Sequence, residues 1–253
     1  MLIPLLLVSQ FVLADSLYSN HHFDVAYIEY ERAFFFHPEL ESNPQKRVKY
    51  AISLFHSDQY KGIKAFHSIF NDLPDLDPEF KAEMAMCYLD SGYFYEASEL
   101  LVQTNEKKLL GFTYLLDNRP YSAREVFISI EDKVIVDQIN SYLNKPKKAL
   151  RTAALLSIIC PGAGEIYGGN TKLGIQDFLL NLGSGYLIYN AVKQKKYIDA
   201  VLVFSLLFNR FYVGSIYNAQ ISAAKTNEKS RQMWLDQMKR MCFNDLDQKT
   251  LNR

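Results

Sequence analysis

The hydrophobic residues of this chain follow one pattern before about residue 144 and another after it. From Asp15 to Leu143, apolar residues recur at the spacing of amphipathic helices, and prolines or glycines interrupt them at intervals. Beyond residue 149 the apolar residues come in longer runs. The two patterns predict an all-α protein in which a series of short helices precedes a group of longer apolar ones.

Small and aromatic residues recur within the first region at near-regular intervals. Phe23, Tyr60 and Phe94 are separated by 37 and then 34 residues. A small residue often stands on the same helical face as one of the aromatic side chains, so two helices could cross closely there. The residues expected to pack these helices together, or to end them, are Ala26, Ala33, Pro38, Gly92, Ala97, Gly111, Tyr114 and Ala123.

This pattern resembles the tetratricopeptide repeat, a pair of antiparallel helices that recurs about every 34 residues. The resemblance covers residues 15–143 and implies stacked helical hairpins whose concave face binds peptides or helices. The sequence departs from the family where only 26 residues separate Met84 from Leu110, and where Pro120 replaces the usual aromatic residue. A generic domain of α-helical hairpins is the alternative.

A proline and four glycines interrupt the chain between residues 160 and 170. Proline disfavours helix at the residue before it, and glycine allows a positive φ or a close approach of two backbones. We therefore expect a shaped break in the helix, although a plain loop is the alternative. The residues of this predicted motif are Pro161, Gly162, Gly164, Tyr167, Gly169 and Gly174.

The same motif resembles small bacterial membrane hairpin modules that are often joined to tetratricopeptide domains in cell-envelope proteins. The resemblance covers about residues 157–222. Those modules usually have glutamine where this chain has Glu165.

Two apolar runs, residues 173–192 and 198–217, each have the length of about twenty residues that a bilayer crossing requires. Three lysines lie between them, so the runs predict an antiparallel membrane hairpin with a basic tip, within a module that spans residues 144–222. A buried helical hairpin of a soluble protein is the alternative.

Both runs contain polar residues, and their distances from the turn are nearly matched. Counting outward from the turn places Asn181 level with Asn209, and places Arg210 within reach of Asp177. Because charges inside a membrane normally face a partner or water, we expect these residues to pair across the hairpin.

The two ends of the chain differ in character. Residues 1–14 form an apolar run that predicts a signal peptide cleaved after Ala14, with the first helix of the next domain as the alternative. Residues 223–253 predict a polar, partly amphipathic tail.

Composition and motifs favour a binding protein over an enzyme. The 28 basic residues balance the 28 acidic ones, so the net charge gives no reason to expect nucleic-acid binding. The three cysteines are far apart, and no histidine pair has the spacing of metal ligands. We expect no catalytic residues, no cofactor, no metal and no small-molecule substrate.

Together these features predict a membrane-anchored, non-enzymatic scaffold of the bacterial cell envelope. Its repeats would face the periplasm and bind protein partners, while the hairpin contacts membrane lipid. A soluble periplasmic or cytosolic adaptor, whose last helices complete the repeat stack, is the main alternative. A transporter or enzyme component that uses the polar residues of the hairpin is another. Whether residues 149–167 cross the membrane or re-enter it stays open.

Overall fold

The structure is a computed structural model that describes the backbone of residues 3–72 and 76–250, and side chains within these ranges except at 3–10, 40, 70–72 and 244–250. Every regular element in the described ranges is helical, as the sequence predicts. In chain order the α-helices are α1 (Ile3–Ser19), α2 (Phe23–Phe36), α3 (Pro44–Ser57), α4 (Gln59–Asp72), α5 (Pro78–Asp90), α6 (Phe94–Val102), α7 (Lys107–Leu116), α8 (Pro120–Ser129), α9 (Lys133–Asn144), α10 (Leu150–Ile159), α11 (Ala163–Tyr167), α12 (Thr171–Lys193), α13 (Tyr197–Val203) and α14 (Asn209–Thr250). A 3-10 helix covers Pro38–Ser42, and a π-helical turn covers Phe204–Phe208.

Prolines begin several of these helices. Pro44, Pro78 and Pro120 each stand in a first helical turn. Backbone amides there have no acceptor within the helix, so the amide hydrogen that proline lacks costs no hydrogen bond. The side chain of Asn43 accepts a hydrogen bond from the Lys46 amide at 3.2 Å, which caps α3. The departure of Pro120 from the repeat pattern therefore has a simple structural explanation.

The chain divides into two compact units. One contains the residues up to Asn140 together with those from Met241 onward, and the other contains Ser141–Arg240. In the first unit consecutive helices pack as hairpins: α1 with α2, α3 with α4, α5 with α6, and α7 with α8. Successive hairpins also contact each other, through α2 with α3 and α6 with α7.

The small residues of the repeat pattern lie at the helix crossings. Ala26, Ala33, Ala97 and Ala123 have no solvent exposure. A Cβ atom on Gly111 would lie 2.6 Å from the ring of Phe127, so these two helices could not approach as closely with any larger residue.

The other three packing positions have different roles. Pro38 begins the 3-10 helix that follows α2, and Gly92 has a positive φ of 78° in the turn before α6. The half-buried ring of Tyr114 packs against the core, and the guanidinium of Arg119 lies over this ring, 4.6 Å from its centroid.

Helix α1 is part of the first core. Phe11 and Ala14 are buried against Tyr30 and Phe34, with the rings of Phe11 and Phe34 at 5.7 Å. One turn later, Asp15 accepts a hydrogen bond from the Tyr30 hydroxyl at 2.6 Å. The signal peptide stays a prediction, but cleavage after Ala14 would cut α1 and remove Phe11 from this core.

In the second unit, α12 packs against α13 and the π turn as an antiparallel pair. Residues 197–243 form one continuous helix, because Val203, Phe204 and Asn209 all have helical φ and ψ. In the described ranges this is the one helix that is long and apolar enough to cross a membrane. Helix α12 has the length but not the apolarity, so only one of the two predicted spans meets both conditions.

The predicted tail continues this helix. Residues 223–250 are helical throughout. The side chains of Leu235, Met238 and Cys242, which lie on one side of this helix, are buried. In the first unit, the ring of Phe243 packs edge-on against Phe112 at 5.4 Å.

Candidate functional site: the Pro-Gly turn and the base of the hairpin

The Pro-Gly motif forms a sharp turn between α10 and α11. Cys160 is extended, as expected before Pro161, and Gly162 follows with a positive φ of 93°. A Cβ atom on Gly162 would lie 2.1 Å from the carbonyl oxygen of Gly174, and one on Gly174 would lie 2.5 Å from that of Gly162. The turn and helix α12 therefore touch backbone to backbone, which only two glycines permit.

A second close contact joins the turn to α10 and α14. A Cβ atom on Gly164 would lie 2.0 Å from the carbonyl oxygen of Ala153 and 2.7 Å from the Cβ of Ala219. Ala153, Ala219 and Ala223 form a small buried cluster at this crossing. The motif is thus packed on two sides by helices that are distant in sequence.

Side chains from α14 hold the two ends of this segment. Asn227 accepts a hydrogen bond from the Lys148 amide and donates one to the Lys148 carbonyl, both at 2.9 Å. At the other end, Gly169 has a φ of 94°, and the hydroxyl of Thr226 donates to the Gly168 carbonyl at 2.5 Å.

Tyr167 ties α11 to the start of α10. Its hydroxyl accepts a hydrogen bond from the Ala149 amide at 3.2 Å, and the ammonium of Lys148 lies 4.6 Å from its ring centroid. This aromatic member of the motif therefore has a positioning role.

Glu165 lies at the centre of a buried polar cluster and has no solvent exposure. The hydroxyl of Ser157 donates to Glu165 Oε2 at 2.8 Å and accepts from the Gly164 amide at 3.1 Å. The hydroxyl of Ser215 accepts from the Gly162 amide at 3.1 Å. The free amides of the turn are thus satisfied by serines on α10 and α14.

Asp177 on α12 completes the cluster. It is buried and accepts a hydrogen bond from Asn218 Nδ2 at 3.0 Å, and its carboxyl lies beside that of Glu165. Burial and the Asp177 carboxyl raise the pKa of Glu165, against the opposing effect of the Ser157 and Ser215 hydroxyls. Two carboxyl groups from different helices therefore face each other at the base of the hairpin.

The predicted pairing across the hairpin is wrong. Asn209 and Arg210 are exposed, whereas the Asp177 carboxyl accepts a hydrogen bond from Asn218 and lies beside Glu165. The buried amide of Asn181 donates to the Asp177 carbonyl at 2.8 Å within its own helix.

The π turn explains much of this difference. A π turn inserts residues beyond the regular 3.6 per turn, so it rotates the side chains that follow it around the helix axis. The count from the turn assumed a regular helix, and the extra rotation at Phe204–Phe208 carries Asn209 and Arg210 to another face.

Above the cluster, both helices of the hairpin expose apolar side chains. The exposed residues are Ile175, Phe178, Leu179, Leu180, Leu182, Tyr186, Leu187, Tyr189 and Val192 on α12, and Ile198, Val201, Leu202, Phe204, Leu206, Leu207, Val213 and Tyr217 on the long helix. We call this set the hairpin face. Lys193, Lys195 and Lys196 stand at its far end.

The sequence pointed to the glycines, Asp177 and Asn181 but missed Ser157, Ser215 and Asn218. These three are ordinary polar residues in apolar helices, and only their meeting in space gives them a role. In the described residues, no cluster of three or more histidine, cysteine or acidic residues could hold a metal ion.

No protein-family model matches the chain, and no curated protein or solved structure is significantly similar to it.

Proposed function

We propose that this protein is a membrane-anchored, non-enzymatic scaffold, whose hairpin face lies in lipid and whose helical hairpins bind a protein partner. The exposure of the hairpin face is the observation that carries the proposal. In the most apolar window of the 197–243 helix, only 11% of the residues are buried. A core helix of a soluble protein would bury most of that window, so lipid is the natural environment for it.

The dimensions of the hairpin suit a bilayer. At about 1.5 Å per residue, Ile175–Val192 is roughly 26 Å long and Ile198–Tyr217 roughly 29 Å long. The hydrocarbon core of a bilayer is about 30 Å thick. The lysines at the tip can extend toward one head-group layer while the polar cluster stays at the other.

The segment that contains the Pro-Gly motif stays at the base in this proposal. Helix α10 has ten residues and is too short to span. Side chains of α14 donate hydrogen bonds to the backbone carbonyls of Lys148 and Gly168, at the two ends of this segment. Residues 149–167 then lie at the membrane surface and do not cross, and the basic clusters 145–151 and 193–196 lie on opposite sides.

A set of exposed tyrosines offers a surface for a protein partner. Tyr60, Tyr95 and Tyr121 are each the second residue of the second helix of a hairpin, in α4, α6 and α8. Their exposures are 80%, 58% and 68%. Tyrosine is enriched at protein interfaces because its ring gives a large contact area at a low entropic cost. A repeated exposed tyrosine is hence the best candidate for the contact of the repeats with a partner.

Carbonate extraction of membranes tests the anchor. The double substitution Leu182→Asp with Leu206→Asp places two charges on the hairpin face, at side chains that are 59% and 64% exposed. The wild type is expected to stay in the membrane pellet, and this variant to be released, because charge in lipid is costly. A matched pair, Ile128→Asp with Val134→Asp, changes exposed apolar residues of the first unit and should not alter extraction. Release of the wild type by carbonate would favour the soluble adaptor instead.

Photo-crosslinking in cells tests the partner surface. A photoreactive residue at Tyr95 is expected to give a discrete adduct with another protein, which the added substitutions Tyr60→Ser and Tyr121→Ser should weaken. Phe35→Ser is the control, because Phe35 is 79% exposed but lies at the end of a first-unit helix, away from the repeated position. Adducts of equal intensity in all variants would remove these tyrosines from the partner surface.

A further inference from the structure

The carboxyl groups of Glu165 and Asp177 meet in an environment that cannot easily hold two negative charges. Glu165 has no exposure and Asp177 is 7% exposed. Burial disfavours an ionised carboxylate, and a second carboxylate beside it disfavours it further. An arrangement in which both are ionised would therefore be strongly unfavourable.

The hydrogen bonds around the pair leave one buried carboxyl oxygen without a donor among the described residues. Glu165 Oε2 accepts from Ser157, and Asp177 Oδ2 accepts from Asn218. Glu165 Oε1 is buried and receives no hydrogen bond from any donor in the described part of the chain. Two carboxyl groups can hydrogen-bond to each other only if one of them carries a proton. A proton between them would satisfy the remaining oxygen.

In the described part of the chain, the recorded polar partners of the pair carry no positive charge that could take the place of that proton. The groups that hydrogen-bond to the pair are Ser157 on α10 and Asn218 on α14, the Ser215 hydroxyl lies nearby, and all three side chains are uncharged. Within α12, the uncharged side chain of Asn181 donates a hydrogen bond to the Asp177 backbone carbonyl. Arg210 is exposed, and Asp177 has partners other than this arginine.

We propose that Glu165 and Asp177 form a proton-binding site, in which one shared proton latches the Pro-Gly turn to the base of the hairpin. Glu165 belongs to α11 and Asp177 to α12, so the shared proton joins the two elements whose backbones already touch at Gly162 and Gly174. Loss of the proton would leave two adjacent carboxylates, whose repulsion acts to separate α11 from α12. All the residues of this site belong to the second unit. The site can therefore exist whether or not the hairpin face lies in lipid and whether or not the tyrosines bind a partner.

The direction of the pH dependence follows from the raised pKa of Glu165. In the unfolded chain this carboxyl titrates near its ordinary pKa of 4.5, so the folded state holds its proton more tightly than the unfolded state does. The contribution of the latch is complete below the ordinary pKa. It is lost as the pH rises from there through the pKa of the folded protein.

Isotope-edited infrared spectroscopy of the full chain in detergent detects the proton directly. With ¹³C-labelled glutamate and then ¹³C-labelled aspartate, a protonated carboxyl gives a carbonyl stretch apart from the carboxylate bands, and only its label shifts the band. At pH 5 we expect one such buried carboxyl, and we expect the band to diminish as the pH is raised. Glu165→Gln should abolish it, whereas Asp199→Asn, at an exposed aspartate of the same unit, should not.

Thermal unfolding at pH 5 and pH 8 tests the latch. The melting midpoint of the wild type should fall by several degrees at the higher pH. Glu165→Gln should melt at the same temperature at both, because its amide donates permanently where the shared proton did. Asp177→Asn gives a second, independent version of the same replacement. Asp199→Asn should retain the dependence of the wild type.

Three outcomes would overturn the proposal. One is the absence of a protonated carboxyl band at pH 5. Another is a wild-type melting midpoint that stays constant with pH while both carboxyl variants are less stable. The last is a midpoint that rises with sodium or calcium concentration at constant pH, because the pair would then bind a metal cation and not a proton.

Discussion

At the residue scale, the glycines of the Pro-Gly motif and the buried carboxyl pair are two parts of one packing arrangement. Gly162 and Gly174 allow α12 to come so near the turn that Asp177, three residues further on, meets Glu165. The sequence predicted that these glycines would matter, because a proline and several glycines in so few residues rarely mark regular helix. It could not predict which backbone each glycine touches, because that depends on residues far away in the chain.

Substitution of Gly162 should be among the most damaging single changes in the second unit. Alanine there has both an unfavourable positive φ and a Cβ atom 2.1 Å from a backbone oxygen. We expect Gly162→Ala to lower the free energy of unfolding by about 2 kcal/mol or more, as measured by denaturant titration of the full chain in detergent. Gly183→Ala is the matched control, because nothing lies within 4 Å of a Cβ atom at that helical position. Similar losses for both would mean that the close contact at the turn is not what makes Gly162 necessary.

The cysteines should differ sharply in reactivity. Burial raises the pKa of Cys87 to about 12, so its thiol stays protonated and shielded at pH 8, whereas Cys160 is exposed. Mass spectrometry after brief alkylation at pH 8 should find Cys160 modified and Cys87 unmodified, until the chain is unfolded. Rapid alkylation of Cys87 in the folded protein would contradict the packing of the α5 helix.

At the element scale, regular patterns predicted the helices well and the register of the long hairpin poorly. The repeated small and aromatic residues located the first-unit helices because their 3.6-residue period survives in the structure. The π turn at Phe204–Phe208 breaks that period, and apolar residues on both sides of it gave no sign of the break. A regular helix would therefore place Asn209 and Arg210 on the inner face, whereas in the structure Asn218 lies there.

The small residues at the helix crossings give a test of the hairpin packing. Ala97→Leu or Ala123→Leu should lower the free energy of unfolding by about 1–3 kcal/mol, because both alanines are fully buried at helix crossings and a larger side chain would overpack them. Glu106→Gln, an exposed change in the same unit, should stay within about 0.5 kcal/mol. Denaturant melts that show equal effects for the two kinds of change would contradict the packing described for the first unit.

Helix α1 allows a test of whether its first residues belong to the functional protein. The ring of Phe11 packs against Tyr30 and Phe34, so Phe11→Ala in the full chain should cost about 3 kcal/mol of unfolding free energy. Val12→Ala, at a neighbouring residue that is 58% exposed, should have little effect. If the protein isolated from cells begins at Asp15 and is as stable as the full chain, α1 before that residue is not needed by the core.

At the scale of the whole molecule, the proposed function assigns partner binding to the first unit and membrane attachment to the second. The switch from periodic to continuous apolar sequence near residue 144 lies close to where the first unit gives way to the second, at Asn140 and Ser141. The chain rejoins the first unit at Met241. No change in the sequence pattern marks that residue, because the last helix continues unbroken through it. Composition alone also could not separate a lipid-facing helix from a buried one. The exposure of the hairpin face shows that these helices are not buried, and it supports the proposed contact with lipid.

Cysteine accessibility on the hairpin face tests the membrane anchor most directly. In a chain that carries Cys160→Ser, one variant has Leu182→Cys on the hairpin face and another has Val134→Cys in the first unit, at residues that are 59% and 64% exposed. Both are treated with a membrane-impermeant maleimide in membranes opened on both sides. We predict rapid labelling of the cysteine at position 134, and none at position 182 until the membranes are dissolved in denaturing detergent. Equal labelling at the two positions in intact bilayers would show that the hairpin face meets water, and would contradict the membrane anchor.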